Sequence, residues 1–164
     1  MSMILYLRRI EDVVALRELA TDPESFFEYL FESDDAEGNI VDFDKAWQAL
    51  HFVLTGSAWE GKVPLNFLLH AGKEIGEDNG YGPTRIASPD EVRAFRDALA
   101  AIDYAELRRR YDPAAMLAAD VYIADILVEE GEHGWNYLTQ HLPALRELLD
   151  RSVQTESSIA ILIS

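Results

Sequence analysis

A chain of 164 residues that is 49% hydrophobic can bury one core and is too apolar to remain disordered. It has no cysteine, which excludes disulfides, thiolate metal sites and cysteine nucleophiles and suits a reducing cytosol. Its formal net charge of −16 repels phosphate, so duplex nucleic acid is excluded as a direct partner, while a basic protein would be attracted.

In chain order, Met3 to Leu7 is predicted as a strand that is apolar on both sides and so covered on both faces. The following Arg8-Arg9 leaves no cationic leader with an apolar stretch, which argues against a secretory signal and for the cytoplasm. Val13, Leu16 and Ala20 then share one helical face. Asp22-Pro23 starts a second helix rich in Phe26, Phe27, Tyr29, Leu30 and Phe31, and a polar loop runs from Ser33 to Gly38. The clearest amphipathic helix is predicted over Phe43 to Leu54, ending at Thr55-Gly56. A short helix is expected over Leu65 to His70, an extended loop over Ala71 to Pro83, and a short strand over Thr84 to Ala87.

Ser88-Pro89-Asp90-Glu91 is a strong helix start, and Asp103 and Asp112-Pro113 open two further short helices. After a loop around Glu129 to Gly134, a long helix from Trp135 to Leu149 is expected to kink or restart at Pro143. Ser158 to Ile163 forms the last strand. No apolar run approaches the roughly 18 residues of a membrane helix. The whole chain, 1–164, reads as a single α/β domain: three layers, with a small mixed sheet that includes both terminal strands and helices on its two faces.

Several segments carry a resemblance. Met1-Ser2-Met3-Ile4, Asp42 to Trp47 continuing through Leu50-His51-Phe52-Val53-Leu54-Thr55-Gly56, Gly80-Tyr81-Gly82-Pro83 with Arg85, and Asp120-Val121-Tyr122 together resemble the YfbM-like family, in the right order along the chain. The resemblance implies a bacterial domain of unknown function with a three-layer α/β fold. It implies no activity or cofactor, and no catalytic residue to carry over. Relatives often have proline after the Asp-x-Tyr, where this chain has Ile123, so a different local turn is expected there.

The candidate chemistry concentrates in a few places. Read as one helix, Asp44, Gln48, His51 and Thr55 form a polar stripe suited to proton transfer or ligand binding. Asp44 and His51 would be two turns apart, about 10.5 Å, too far for a direct hydrogen bond. The plainer reading is a structural polar face. Gly80 to Pro83 could offer backbone N–H groups to an anion, with Tyr81 and Arg85 as ligand-binding candidates, or could simply be a turn. Glu130-x-x-His133 has the spacing of a metal motif but occurs once, so no metal or cofactor is expected. Acidic residues accumulate without lysine or arginine from Asp22 to Asp44, and again at Glu129, Glu130 and Glu132. Asp34, Asp35, Glu37, Glu129, Glu130 and Glu132 are the candidate partner-binding residues. Two functions follow: a cytosolic interaction protein engaging, for instance neutralising, a basic protein, or a small-molecule-binding or hydrolytic domain using the His51 stripe and the glycine loop.

Overall fold

In a computed structural model, which describes residues 2–32 and 38–164, the chain folds around a five-stranded sheet of order β2-β1-β5-β4-β3. The strands are β1 (Leu5–Ile10), β2 (Ile40–Asp42), β3 (Lys73–Ile75), β4 (Thr84–Ala87) and β5 (Ser158–Ile163). Both terminal strands pair at the centre, from Leu5 opposite Ile163 to Ile10 opposite Ser158. The expected mixed sheet is antiparallel at every pairing. β2 and β3 were not legible in the pattern: each is three residues long, and β3 lies inside the stretch expected to be loop.

The alternation within the central strands divides the core in two. On β1 and β5, Leu5, Leu7, Ile159 and Ile161 point into the larger cluster, while Ile10, Ala160 and Leu162 join the smaller one. The smaller cluster is closed by Leu16 of α1 (Val13–Leu19) and by Phe26 and Leu30 of α2 (Pro23–Glu32). The larger is covered by α3 (Trp47–Thr55), α4 (Phe67–His70), α5 (Pro89–Ala100), α6 (Tyr104–Arg110), α7 (Pro113–Ala118), α8 (Ala124–Glu130), α9 (Glu132–Thr139) and α10 (Leu142–Gln154). The layers are therefore helix, sheet, helix.

The predicted caps at Ser88, Asp103 and Asp112 hold. Ser88 accepts from the Glu91 N–H while Glu91 accepts from the Ser88 N–H at 2.8 Å, closing a capping box at the start of α5. Glu91 also accepts from the Gly72 N–H at 3.1 Å, so one carboxylate ties the helix start to the turn before β3. Gly72 is required there: its φ is +89°, and a Cβ would lie 2.7 Å from the Ile86 backbone. The predicted last helix is two. α9 ends at Thr139 and α10 begins at Leu142, with Pro143 in its first turn, where a missing N–H costs nothing.

Candidate functional site

The most consequential difference from the sequence pattern is the start of α3. The helix begins at Trp47, not Phe43. Asp44 lies before it with φ +47°, its N–H donating 2.7 Å to Asp42 Oδ1 in a local turn that competes with the helix. The stripe of Asp44, Gln48, His51 and Thr55 is thereby broken.

Each member has a structural partner. Gln48 is buried, its amide N–H donating 3.0 Å to the Ala58 carbonyl and its amide oxygen accepting 2.7 Å from the Tyr122 N–H. His51 is wholly enclosed, with Nε2 at 2.7 Å from the Glu60 carbonyl. A carbonyl only accepts, so Nε2 carries the proton, and Nδ1 is left buried with no partner among the described residues. Burial holds the His51 pKa below that of a free imidazole, partly offset by the bond to Glu60. Thr55 Oγ1 donates 2.8 Å to the His51 carbonyl.

Thr55 also lines a cleft of about 820 Å³ together with Glu60, Lys62, Leu65, Asn66 and His70. The His51 and His70 rings are 6.1 Å apart, but only His70 reaches the cleft, and its Nε2 is engaged by the Trp59 carbonyl. The nearby Ser57 Oγ accepts from the Trp59 and Glu60 N–H groups. Among the described residues, neither hydroxyl has an imidazole partner.

The glycine loop does not complete this cleft. The N–H groups of Gly80 and Gly82 donate to Asp78 Oδ1, and that of Tyr81 donates to Asn79 Oδ1. The donors proposed for an anion are consumed by the turn itself. Arg85 points inward and donates 2.7 Å to the Leu68 carbonyl and 2.5 Å to the Ala71 carbonyl, satisfying the end of α4. Its burial pushes the guanidinium pKa down to about 10, so it stays charged at neutral pH.

Asp44 belongs instead to a second cleft, of about 320 Å³, between the start of α3 and the α8–α9 turn. Asp44 Oδ2 accepts a 2.7 Å bond from the Tyr137 hydroxyl, which itself accepts from the Lys45 N–H at 3.2 Å. Burial and the adjacent Asp44 carboxylate raise the Tyr137 pKa, so the phenol remains a donor. Ile123, Ile126 and Leu127 form the apolar wall, and Glu130, His133 and Lys45 stand at the rim. Ile123 has φ +60°, a conformation closed to proline and rare for a β-branched residue. The turn that the sequence marked as different is thus left-handed.

A model of the family described as Domain of unknown function (DUF1877) matches residues 1–162. The chain belongs to the DUF1877 family. The fold of this DUF1877 chain is similar to the crystal structure of YfbM from Escherichia coli, a protein of unknown function, with a TM-score of 0.70. The match covers 98% of this chain and 99% of that one at 19% identity, a likeness of fold. No curated protein matches the chain.

The acidic candidates divide. Glu129 and Glu130 are exposed, Glu132 pairs with Arg108 at 2.5 Å, and Asp34, Asp35 and Glu37 lie outside the described residues. Among the described residues, no group of three His, Asp or Glu is arranged to hold a metal, and no helix is long and apolar enough to cross a membrane. Sequence reasoning missed two features of this DUF1877 chain. Tyr137 is 93 positions from Asp44, so no local spacing relates them. The second is the placing of Glu24, Glu28 and Glu32 beside Phe27 and Phe31 on one outer face of α2, although glutamates recurring every four residues signal an exposed stripe.

Proposed function

We propose that this chain is an interaction module that takes a basic protein on its acidic surface, neutralisation of such a protein being one form of that role. One observation carries the reading. Exposed Glu24, Glu28 and Glu32 of α2 line a shallow depression of about 470 Å³ with the half-buried rings of Phe27 and Phe31. The rings are parallel, with centroids 6.3 Å apart. Carboxylates beside aromatic faces suit an arginine or lysine, which gains both ion pairing and cation–π attraction. α2 already holds one cation over an aromatic ring, for Arg8 lies 5.4 Å from the centre of the Tyr29 ring.

The wider charge distribution supports the same reading. Arg9, Arg93, Arg96, Arg108, Arg109, Arg110 and Arg151 are each paired with carboxylates of this chain. Such exposed pairs add little stability. Their effect is to cancel the molecule's own cations locally, leaving α2, which has no lysine or arginine and exposes Glu24, Glu28 and Glu32, as a negative face. The hydrolytic alternative lacks its parts, because His51 has no exposed surface and the glycine loop does not line the cleft beside Thr55.

Titration of isotope-labelled protein with an arginine- and lysine-rich peptide tests the reading. The expected result is saturable resonance shifts centred on Glu24 to Glu32, weakened by salt and by a Glu24→Gln, Glu28→Gln, Glu32→Gln triple variant. Absence of saturable shifts at low ionic strength, or unchanged binding by the triple variant, would overturn it.

A further inference from the structure

The cleft beside Asp44 lies in the other helical layer, against the larger core, and has a chemistry the α2 face lacks. Its wall is aliphatic, and Ile126 remains 48% exposed although it sits on a well-formed helix. At its edge stands a carboxylate fixed in direction: Asp44 is held at one oxygen by Tyr137 and in its backbone by Asp42. Its other oxygen, Oδ1, has no partner among the described residues, and Glu130 stands on the same rim unpaired. Of the four non-glycine residues with positive φ among those described, Asp44 and Ile123 both line this cleft. Aspartate adopts this conformation readily, but a β-branched isoleucine rarely does, and such strain collects where a ligand is gripped.

We propose that this cleft binds a primary aliphatic amine, its ammonium donating to Asp44 Oδ1 and Glu130 and its alkyl body lying on Ile123, Ile126 and Leu127. Charge selects the cation. Two carboxylates oppose the one ammonium of Lys45, and Asp42 lies next to Asp44. An alkyl stem ending in an ammonium matches an apolar wall with an anionic rim, whereas a carboxylate-bearing ligand would meet Asp44 and Glu130 at close range. A cleft of about 320 Å³ is at the small end of ligand sites, which suits a short-chain ligand. The amine arrives either free or as a lysine side chain.

Amide and methyl spectra recorded with n-butylammonium, 1-butanol, butyrate and a doubly capped lysine test the assignment. With only five heavy atoms, n-butylammonium is expected to saturate at about millimolar concentration. Shifts should centre on residues 44–45, 123–127 and 133–137, while the butanol and butyrate responses should be much weaker. Capped lysine binding as tightly as n-butylammonium would identify a peptide side chain as the source, and weaker binding a free amine; both support the site. Asp44→Asn should weaken n-butylammonium about tenfold or more, as loss of one charge-assisted bond implies. Asparagine tolerates positive φ, so this variant keeps its turn. Glu130→Gln, on the exposed rim, should weaken it less. Equal responses to butanol or butyrate, no saturation, or unchanged binding in both variants would overturn the proposal. Shifts confined to residues 24–32 would also overturn it while leaving the α2 reading intact.

Discussion

His51 sits at the centre of α3 with one ring nitrogen bonded and the other enclosed without a partner. Protonating Nδ1 would bury an N–H with no acceptor, which is why the folded pKa is depressed. The unfolded chain then binds a proton at about pH 6.5 that the folded chain refuses. The neutral imidazole therefore contributes its full share of stability above that pH, and the share is lost as pH falls below it. His141 is shifted in the same direction by burial, so its contribution adds. The urea midpoint should fall from pH 7.5 to pH 5.5, and fall less in His51→Gln, whose amide can still donate to Glu60. Equal falls in the two proteins would remove His51 from the account. The same enclosure that makes His51 sensitive to acid withholds it from any substrate.

Between elements, α9 approaches α8 and the end of α6 through a glycine. A Cβ at Gly134 would lie 2.7 Å from the Tyr111 hydroxyl and 3.2 Å from both Leu127 Cδ2 and the Leu127 carbonyl. The Tyr111 ring cannot swing clear, since it is wedged against Trp135 at 5.1 Å and under Arg108 at 5.5 Å. Alanine is the better helix former by about 1 kcal/mol, yet Gly134→Ala should destabilise by about 1–3 kcal/mol through overpacking. Tyr111→Phe removes a buried hydroxyl that has no partner among the described residues. Alone it should be neutral or stabilising, and combined with Gly134→Ala it should restore part of the loss. Denaturant midpoints of the four proteins give the coupling, and strict additivity would count against this contact.

For the molecule as a whole, Trp47 joins the larger core to the N-terminus. It is fully buried, donates from Nε1 to the Met3 carbonyl at 3.0 Å, and packs near Trp59 and Tyr122. Trp47→Ala should cost about 3–5 kcal/mol, a large share of the roughly 5–15 kcal/mol typical of a domain. An unchanged thermal or urea midpoint would show that the site collapses without cost. The sequence alone determined the adjacent terminal strands, the inward faces of α3, α5 and α10, and the caps at Ser88, Asp103 and Asp112, because alternation, helical spacing and capping bonds are local. It did not determine the fate of its polar residues. Asp44 left the expected helix for Tyr137, Arg85 turned onto the carbonyls of α4, and His51 was roofed by the chain at Glu60. The Asp44 and Arg85 bonds reach partners 93 and 17 positions away, and that of His51 a partner nine positions on, beyond the end of its helix; no spacing rule encodes them. Only closure of the tertiary fold decides which polar group is left facing a cleft and which is spent holding the chain together.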